Sequence, residues 1–308
     1  MKQEIDKLFE LIESWQKENI DLALTLIRHN RALRQATRAR YLPLLKFVGR
    51  KTLRSLHQLP LFLQRPKYHQ TGWEPAALQQ QVLASIPIEH LHVGGEHYSY
   101  LDSWLMYLEQ TNFLSISDTH LTALPENIHT LQQLKVCYFS NNHLKSLPES
   151  FGELSSLEQL MIFQHRLPVL PDSLGNLKAL KNLSLIATAR QYWQLPATLA
   201  QCQQLETLTL SHPKMTSIPS WVSNLKQLKR LSCRSCHIQV LPEWIGELEH
   251  LESLNLASNP LQELPHNLRT LPKLKRLNIG MTPLIPSQRK GLLTTKQEVQ
   301  NFLEHFFK

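Results

Sequence analysis

The clearest copy of a unit that recurs along the chain reads Leu251-Glu252-Ser253-Leu254-Asn255-Leu256-Ala257-Ser258-Asn259-Pro260-Leu261-Gln262-Glu263-Leu264-Pro265. Each unit ends in a Leu-Pro or Ile-Pro dipeptide, and seven of these follow one another: Leu124-Pro125, Leu147-Pro148, Leu170-Pro171, Leu195-Pro196, Ile218-Pro219, Leu241-Pro242 and Leu264-Pro265. Successive dipeptides are 23, 23, 25, 23, 23 and 23 residues apart. A period of this length predicts a tandem array of stacked structural repeats.

The pattern inside one unit predicts a strand followed by a turn of helix. Leu254 and Leu256 alternate with the polar Asn255, which predicts a strand with one buried and one free face. The proline ends strand pairing, and the apolar residues of the next segment recur at helical spacing. No single unit can bury its own apolar face, so neighbours must stack. The expected product is a curved solenoid with one long core.

Each strand is centred on one apolar residue, which we call its ladder residue: Leu114, Cys137, Leu160, Leu183, Leu208, Leu231, Leu254 and Leu277. One period before the first of these lies Leu91, in a unit whose outer half is degraded. A degraded first repeat is typical of a cap over the open end of the core. The sequence therefore predicts about nine strands.

In register, the units read L-x-x-L-x-L-x-x-N-x-L-x-x-L-P-x-x-I-x-x-L-x-x, which resembles the leucine-rich repeat superfamily. The form is similar to the 23-residue type of Ras-group intracellular proteins and of many bacterial ones, and the resemblance covers roughly residues 88–285. It implies an α/β leucine-rich repeat solenoid with a curved parallel sheet on its concave face. It also implies that a partner binds the exposed strand positions of that face.

The two ends of the chain predict helices. Thr295 and Glu298 fit a capping box, and an apolar stripe follows at Val299, Phe302, Leu303 and Phe306, so residues 286–308 are predicted to be a C-terminal cap helix. Residues 1–65 are predicted to be a small helical domain, with Asn19 as an N-cap, a third helix stopping near Pro43 and a fourth from Leu44 to Leu56. Residues 66–87 are expected to be the linker and the start of the solenoid's N-terminal cap.

Positive charge is concentrated in the N-terminal part of the chain. The formal net charge is +8, and residues 22–73 hold eleven Lys or Arg and no Asp or Glu. If the chain stays helical there, Arg28, Arg31, Arg34 and Arg38 cluster on one side, although His29-Asn30 is a possible break. One interpretation is a solvated polar face docked against the acidic first helix. The other is a surface for anionic lipid, nucleic acid or an acidic protein.

On the predicted concave face, most free positions are small and polar, and the exceptions are the candidate partner-binding residues. Three consecutive strands contribute an apolar patch of Val136, Tyr138, Met161, Phe163 and Ile186. The alternatives are that the protein's own N-terminal region covers the patch, or that it is tolerated exposed. A second group, Arg230, Arg234 and Arg276, is suited to an acidic segment, although Glu252 is expected to neutralise part of it.

Two further patterns have a structural interpretation. The irregular repeat between Leu185 and Leu195 is two residues longer than its neighbours, so Tyr192 and Trp193 either plug the gap or project from the sheet edge. Two residues before each ladder residue, charges alternate in sign along the column Lys135, Glu158, Lys181, Glu206, Lys229, Glu252 and Lys275. Opposite charges at strand spacing attract, and this column is expected to help fix the register.

We find no motif for catalysis, nucleotide binding or metal binding, so no enzyme activity, cofactor or metal is expected. All four cysteines fall on repeat positions, which favours buried apolar substitutes over a zinc or redox site for Cys233-x-x-Cys236. No signal peptide or membrane-spanning run is recognised, and a cytoplasmic location is expected. The expected function is a non-catalytic protein-protein interaction module; the alternatives are a membrane- or nucleic-acid-associated protein targeted by residues 22–73, and a secreted effector.

Overall fold

The computed structural model describes residues 2–27, 30–47, 77–94, 103–165, 167–187, 194–285 and 291–307. One sheet of ten strands runs in strict chain order: β1 His90–Gly94, β2 Phe113–Ser117, β3 Val136–Ser140, β4 Gln159–His165, β5 Asn182–Ala187, β6 Thr207–Ser211, β7 Arg230–Ser232, β8 Ser253–Asn255, β9 Arg276–Asn278 and β10 Leu292–Leu293. Strands β1 to β9 pair in parallel, and β10 pairs antiparallel with β9. The predicted solenoid of nine parallel strands is confirmed, and β10 is an addition that the period did not predict.

The register of the sheet follows the sequence period. Leu91 pairs with Leu114, Leu114 with Cys137, and the same column continues to Leu277. Every ladder residue is at most 1% exposed. Because equivalent residues of successive units stand side by side, the buried leucines form one continuous spine.

The convex side consists of short 3₁₀ helices, one after each of the strands β1 to β8: Ser103–Tyr107, Glu126–Thr130, Glu149–Glu153, Asp172–Asn176, Ala197–Gln201, Ser220–Asn224, Glu243–Glu247 and His266–Thr270. In seven of them the proline of the preceding dipeptide is the N-cap residue. Three-residue periodicity suits a 3₁₀ helix as well as a full α-helix over so short a span. The helices stack closely, since a Cβ at Gly152 or Gly175 would overlap the backbone of the next repeat.

Buried asparagines satisfy the backbone between strand and helix. Asn142 donates from Nδ2 to the carbonyl of Ile116 at 2.9 Å, and its Oδ1 accepts the Thr119 hydroxyl at 2.6 Å. Asn259 acts alike, donating to the carbonyl of Cys233 at 2.7 Å. Backbone groups removed from water need such partners, so these two asparagines tie their repeats to the ones before them.

Helices precede the sheet: α1 Lys2–Glu13, α2 Lys17–Leu26, α3 Arg31–Phe47 and α4 Ala77–Ser85. The prediction of Asn19 as an N-cap is wrong, because the N-cap residue of α2 is Gln16, three residues earlier. Trp15 has a φ of 55°, which turns the chain sharply between α1 and α2, and Asn19 donates back into that turn, to the Ser14 hydroxyl at 3.0 Å. The connection is therefore shorter than the residue types indicated.

The predicted stop near Pro43 is also wrong, because α3 continues to Phe47. A proline inside a helix removes one hydrogen bond and costs about 3 kcal/mol, so something must offset it. Leu33, Thr37 and Tyr41 lie on one side of α3 and are all buried, Tyr41 completely. Packing of this face outweighs the local cost. The predicted fourth helix begins inside α3, and its remainder lies outside the described residues.

The helices join the solenoid without a break in the core. One apolar cluster extends from Leu8 and Ile12 in α1 through α4 and the ladder residues to the C-terminal helix. Trp15 donates from Nε1 to the carbonyl of Ser85 at 3.0 Å, which ties the α1–α2 turn to the end of α4.

The C-terminal helix α5, Lys296–Phe306, closes the other end of the solenoid. Its predicted capping box is present: the Thr295 hydroxyl accepts the Glu298 amide at 3.2 Å, and the Glu298 carboxylate accepts the Thr295 amide at 3.1 Å. Val299 and Leu303 are buried in the core. The helix therefore covers the open end of the last repeat as the apolar stripe predicted.

Candidate functional site

Strand alternation separates the side chains of the sheet into a core side and an open side. In β2, β3 and β6 the ladder residue and the residue two positions later are buried, while their neighbours are partly exposed. In each strand, the residues one before, one after and three after the ladder residue therefore face away from the core. These outward positions form the concave face of the solenoid.

All five predicted apolar residues lie on the concave face. Tyr138 pairs with Met161 across β3 and β4, and Phe163 pairs with Ile186 across β4 and β5, with Val136 at the start of β3. Each of the five is half-buried, and none belongs to the core. The rings of Tyr138 and Phe163 contact edge to face, with centroids 5.5 Å apart and an interplanar angle of 70°. The structure thus brings together the residues that the sequence singled out.

One aromatic residue of this surface was missed. Phe113 stands one position before its ladder residue in β2, and it pairs with Val136 of β3. Its ring lies 5.5 Å from that of His90 and 5.3 Å from that of His92, both exposed on β1. The signal was available in the sequence, because Val136 occupies the same position of its own repeat. We call the half-buried group formed by Phe113, Val136, Tyr138, Met161, Phe163 and Ile186 the concave apolar band.

Three exposed arginines lie further along the same face. Arg230 and Arg276 occupy the same register position, with Ser253 of β8 between them. Arg230 donates from Nε to the Thr207 hydroxyl at 3.0 Å. Arg234 lies in the turn after β7, one position before Ser235, whose φ is 56°. Glu252, expected to neutralise part of this group, instead accepts the ammonium of Lys275 at 3.3 Å.

The alternating charge column forms the expected pairs at the edge of the sheet. Lys181 contacts Glu158 at 2.9 Å, and Lys229 contacts Glu206 at 2.8 Å. The hydrogen bond from Lys181 lowers the pKa of Glu158, and that from Lys229 lowers the pKa of Glu206. Adjacent backbone groups bond as well, with the Lys181 amide donating to the Glu158 carbonyl at 2.8 Å. The pairs of this column therefore link neighbouring strands.

The N-terminal arginines are divided by a helix break. Helix α2 ends at Leu26, and α3 begins at Arg31 with the Asn30 side chain accepting the Leu33 amide at 3.1 Å. The condition for a single cluster of four arginines, an unbroken helix, is therefore not met: Arg31, Arg34 and Arg38 are exposed on α3, and Arg28 lies outside the described residues. The arginine that docks against the acidic first helix is a different residue, Arg40.

Arg40 is the centre of a polar cluster between α1 and α3. Its guanidinium contacts the Glu13 carboxylate at 2.6 Å and lies 4.6 Å from the ring centroid of Phe9. Tyr41 donates its hydroxyl to the same carboxylate at 2.8 Å. Burial, and then the Glu13 charge, raise the pKa of Tyr41 far above its ordinary range. This cluster holds helices together, so Arg40 is not part of an exposed basic surface.

The cysteines are structural. All four are free thiols in buried positions. Burial raises the pKa of Cys202 to about 11 and the pKa of Cys233 well above its ordinary value, which keeps both thiols protonated and unreactive. Across the described ranges, no three His, Cys, Asp or Glu side chains gather in a way that could hold a metal ion.

The irregular repeat borders a cleft of about 360 Å³, which is lined by Gln194, Leu195, His212, Lys214, Met215, Thr216, Ser217 and Pro219. His212 is buried and accepts the Lys214 amide at its Nδ1 at 3.0 Å. Tyr192 and Trp193, predicted either to plug this repeat or to project from it, lie outside the described residues. None of the helices in the described part of the chain combines the length and apolarity needed to cross a membrane.

Comparison with known proteins bears on the family. A model of a leucine-rich repeat region matches residues 91–217, and a model of a single leucine-rich repeat matches residues 250–271. A search of curated protein sequences finds no significant match.

Solved structures agree. A leucine-rich repeat protein of Leptospira interrogans is similar over 72% of this chain, with 26% identity and a TM-score of 0.51, and the chain spans 60% of that protein. TLR13, solved as a TLR13-ssRNA13 complex, is similar over 68% of this chain and 31% of its own length, with 20% identity and a TM-score of 0.54, which concerns the fold alone. The subclass with 23-residue units stays a prediction. The repeated register, the parallel sheet and these matches together identify the chain as a leucine-rich repeat protein.

Proposed function

We propose that the chain is a non-catalytic protein-protein interaction module that binds its partner on the concave face of the solenoid. Leucine-rich repeat proteins are generally interaction modules. The partner of this one is a protein, and the chemistry of the concave face determines which protein binds. The observation that carries the proposal is the concave apolar band. Its six residues are half-buried on an otherwise small and polar face.

The band has the composition of an interface anchor. Interfaces are enriched in aromatic residues and methionine, and a few such residues contribute most of the binding energy. The edge-to-face contact of Tyr138 with Phe163 holds both rings in one arrangement before a partner arrives. Side chains that are ordered in advance lose less entropy on binding. Tyr138 and Phe163 are therefore the first anchors to test.

The test compares partner capture by the full chain and by the double variant Tyr138→Ala with Phe163→Ala, using lysate of the source organism. Both residues lie outside the core, so we expect nearly unchanged thermal unfolding and a strong loss of the captured protein. A matched control replaces Ser184 and Thr209, polar residues of the same face, with alanine. The control is expected to keep the partner.

Two results would contradict this proposal. A large fall in the melting temperature of the double variant would mean that the rings belong to the fold rather than to a binding surface. Unchanged capture by a folded double variant would mean that the partner binds another surface of the molecule.

A second candidate function, association with anionic lipid or nucleic acid, is favoured by one observation on the N-terminal helices. Arg31, Arg34 and Arg38 are exposed on α3, and the neighbouring α2 exposes Leu22 and Leu26, each about half exposed. Exposed cations and exposed leucines on consecutive helices suit an anionic membrane surface. Replacement of the three arginines with glutamate should then lower retention on heparin and on phosphatidylglycerol vesicles.

Salt separates the two candidates. Binding through the arginines should collapse between low and moderate ionic strength, whereas capture through the concave apolar band should change little. If retention is the same with and without the three charge reversals, the second candidate fails.

A cytoplasmic location belongs to the first proposal. Its support is the presence of four free, buried thiols among the repeat positions, a use of cysteine that suits a reducing compartment. Fractionation of the source cells, followed by detection of the chain, tests it directly.

A further inference from the structure

The outward strand positions of the concave face carry no carboxylate. Nine strands contribute three outward positions each, and among these 27 residues there is no Asp, Glu or Lys. The basic side chains on them are Arg230, Arg234 and Arg276, together with His90 and His92 on the first strand. At neutral pH the face is therefore positive towards its C-terminal half and apolar in its N-terminal half.

The carboxylates at the margins of the sheet are already engaged. Glu158, Glu206 and Glu252 bind the lysines of the charge column, at 2.8 to 3.3 Å. Asp118, at the other margin, accepts the Asn141 side-chain amide at 3.0 Å. Glu206 also lies close enough to Arg230 for that charge to lower its pKa, although its hydrogen bond goes to Lys229.

As a result, these carboxylates form no ion pair with the three arginines. In the parts of the chain that the structure describes, no carboxylate lies within ion-pair distance of Arg230, Arg234 or Arg276. Exposed guanidinium groups that no carboxylate engages are free to form the bidentate hydrogen bonds that carboxylates favour.

The register gives the distance between the apolar and the charged parts of the face. Phe163, Ile186, Ser211 and Arg234 hold equivalent positions on four consecutive repeats. Arg234 keeps this register because the amides on either side of it, those of Cys233 and Ser235, donate to the next repeat at 2.8 and 3.0 Å. At about 4.8 Å per strand, Arg234 lies about 10 Å from Ile186 and about 14 Å from Phe163.

We propose that the occupant of the concave face is an extended acidic peptide segment of the partner, with an apolar or aromatic residue on Phe163 and Ile186 and an Asp or Glu three or four residues away at Arg234. The spacing follows from the length of an extended chain, about 3.3 Å per residue, which covers 10 to 14 Å in three or four residues. The inference rests on the proposed function, because it specifies what binds there.

A peptide suits this face better than a single-stranded nucleic acid. Nucleic-acid binding depends on several cations that follow the phosphates, and its strength falls steeply with salt. The outward positions of β3, β4 and β5, which hold most of the concave apolar band, carry no cation at all. Arg230 and Arg276 stand two strands apart, and the face offers no lysine to bridge them.

The experiment selects ligands from a phage-displayed library of random 12-residue peptides with the full chain as bait, and the enriched consensus peptide is then synthesised. We expect a consensus with an apolar or aromatic residue and an Asp or Glu three or four positions from it. Affinity is measured for the wild type, Arg234→Gln, Phe163→Ala and the control Arg269→Gln, an exposed arginine on a convex helix. Circular dichroism establishes that each variant is folded.

Arg234→Gln should weaken the consensus peptide about tenfold and reduce the salt dependence of its binding, because a charge-assisted hydrogen bond is lost. Phe163→Ala should weaken it by a similar factor with unchanged salt dependence, and Arg269→Gln should have no effect. Arg234→Glu should recover part of the lost affinity when the acidic residue of the peptide is replaced with lysine.

The outcomes separate this inference from the proposed function. A consensus without an acidic residue, or a loss with Phe163→Ala but none with Arg234→Gln, overturns the inference and leaves the concave face as the binding surface. If neither Phe163→Ala nor Arg234→Gln changes the affinity for the peptide, both the inference and the proposed function are overturned. Failure to enrich any peptide overturns the linear occupant, and so does a 12-nucleotide oligouridine that binds only while Arg230, Arg234 and Arg276 are intact.

Discussion

The solenoid and the N-terminal helices are stabilised in different ways. In the solenoid, each strand repeats the same buried contact, and the ladder residues from Leu91 to Leu277 are at most 1% exposed. In the helices, α1 meets α3 around one cluster, in which Glu13 binds both Arg40 and Tyr41. Stability is therefore distributed over many equivalent residues in one region and concentrated on a few unique ones in the other.

This difference affects how each region responds to change. A substitution in one repeat lowers the stability of that repeat and of its interfaces with the neighbouring repeats. A substitution in a polar cluster destabilises the whole cluster, because the remaining polar groups stay buried without a hydrogen-bond or ion-pair partner.

The largest expected effect is in the middle of the solenoid. Leu183→Ala removes a fully buried ladder residue between two strands, which should lower the free energy of unfolding by about 2–5 kcal/mol. Urea unfolding followed by far-ultraviolet circular dichroism measures it. The adjacent outward residue provides the control, since Ser184→Ala should change the free energy by no more than about 0.5 kcal/mol. Equal effects at the two positions would mean that the spine does not carry the stability.

The next effect concerns the N-terminal cluster. Glu13→Gln leaves the nearly buried Arg40 without its counter-charge and should destabilise α1 to α3 by about 1–3 kcal/mol. Hydrogen exchange should show faster exchange in these helices and unchanged protection in β4 to β6. Glu10→Gln, at an exposed position of the same helix, is the matched control. Protection lost equally in the central strands would show that the two regions unfold as one.

The C-terminal cap should respond more weakly. Thr295→Ala removes the side chain that accepts the Glu298 amide, which should cost about 1 kcal/mol. The loss should appear as faster hydrogen exchange in α5, with Gln300→Ala, at an exposed position of the same helix, as the control. Undiminished protection in α5 would indicate that the helix is held by Val299 and Leu303 alone.

The smallest effect is expected from the exposed charge column, and it depends on pH. Lys229 lowers the pKa of Glu206, so the folded state binds this proton less readily than the unfolded state does. The stabilisation is therefore present above the ordinary glutamate pKa of about 4.3 and is lost as the pH falls through the lowered folded value.

Glu206→Gln should accordingly lower the urea midpoint slightly at pH 7, and this difference from the wild type should shrink as the pH falls through the lowered pKa of Glu206 in the folded state. Glu249→Gln, at an exposed convex position outside the column, is the control. A difference between wild type and Glu206→Gln that does not shrink with falling pH would assign the effect to something other than the ion pair.

Periodic features could be predicted from the sequence because the repeats can be aligned with one another. Each strand centre follows from the previous one, so the spine, the register and the outward residues Tyr138 and Phe163 are all correctly located. The capping box at Thr295 and Glu298 was equally readable, because it depends on residues three positions apart in the chain.

Features without repetition were predicted less well. Pro43 suggested a helix stop, but packing of Tyr41 and its neighbours outweighs that local preference. Asn19 is a good N-cap residue, but the turn at Trp15 placed the helix start at another residue. Strand β10 forms because Leu292 and Leu293 meet the otherwise unpaired edge of β9. No sequence pattern within these two residues predicts this pairing.

The sequence by itself determined the family, the number of parallel strands and which side chains face away from the core, because a period of 23 residues fixes which groups stack. Only the tertiary structure decided that Phe113 joins the apolar band, that Glu252 binds Lys275 rather than an arginine, and that Arg40 rather than Arg31 or Arg38 docks on α1. These outcomes depend on which side chains meet across distances in space, and a linear pattern carries no information on that choice when several partners are within reach.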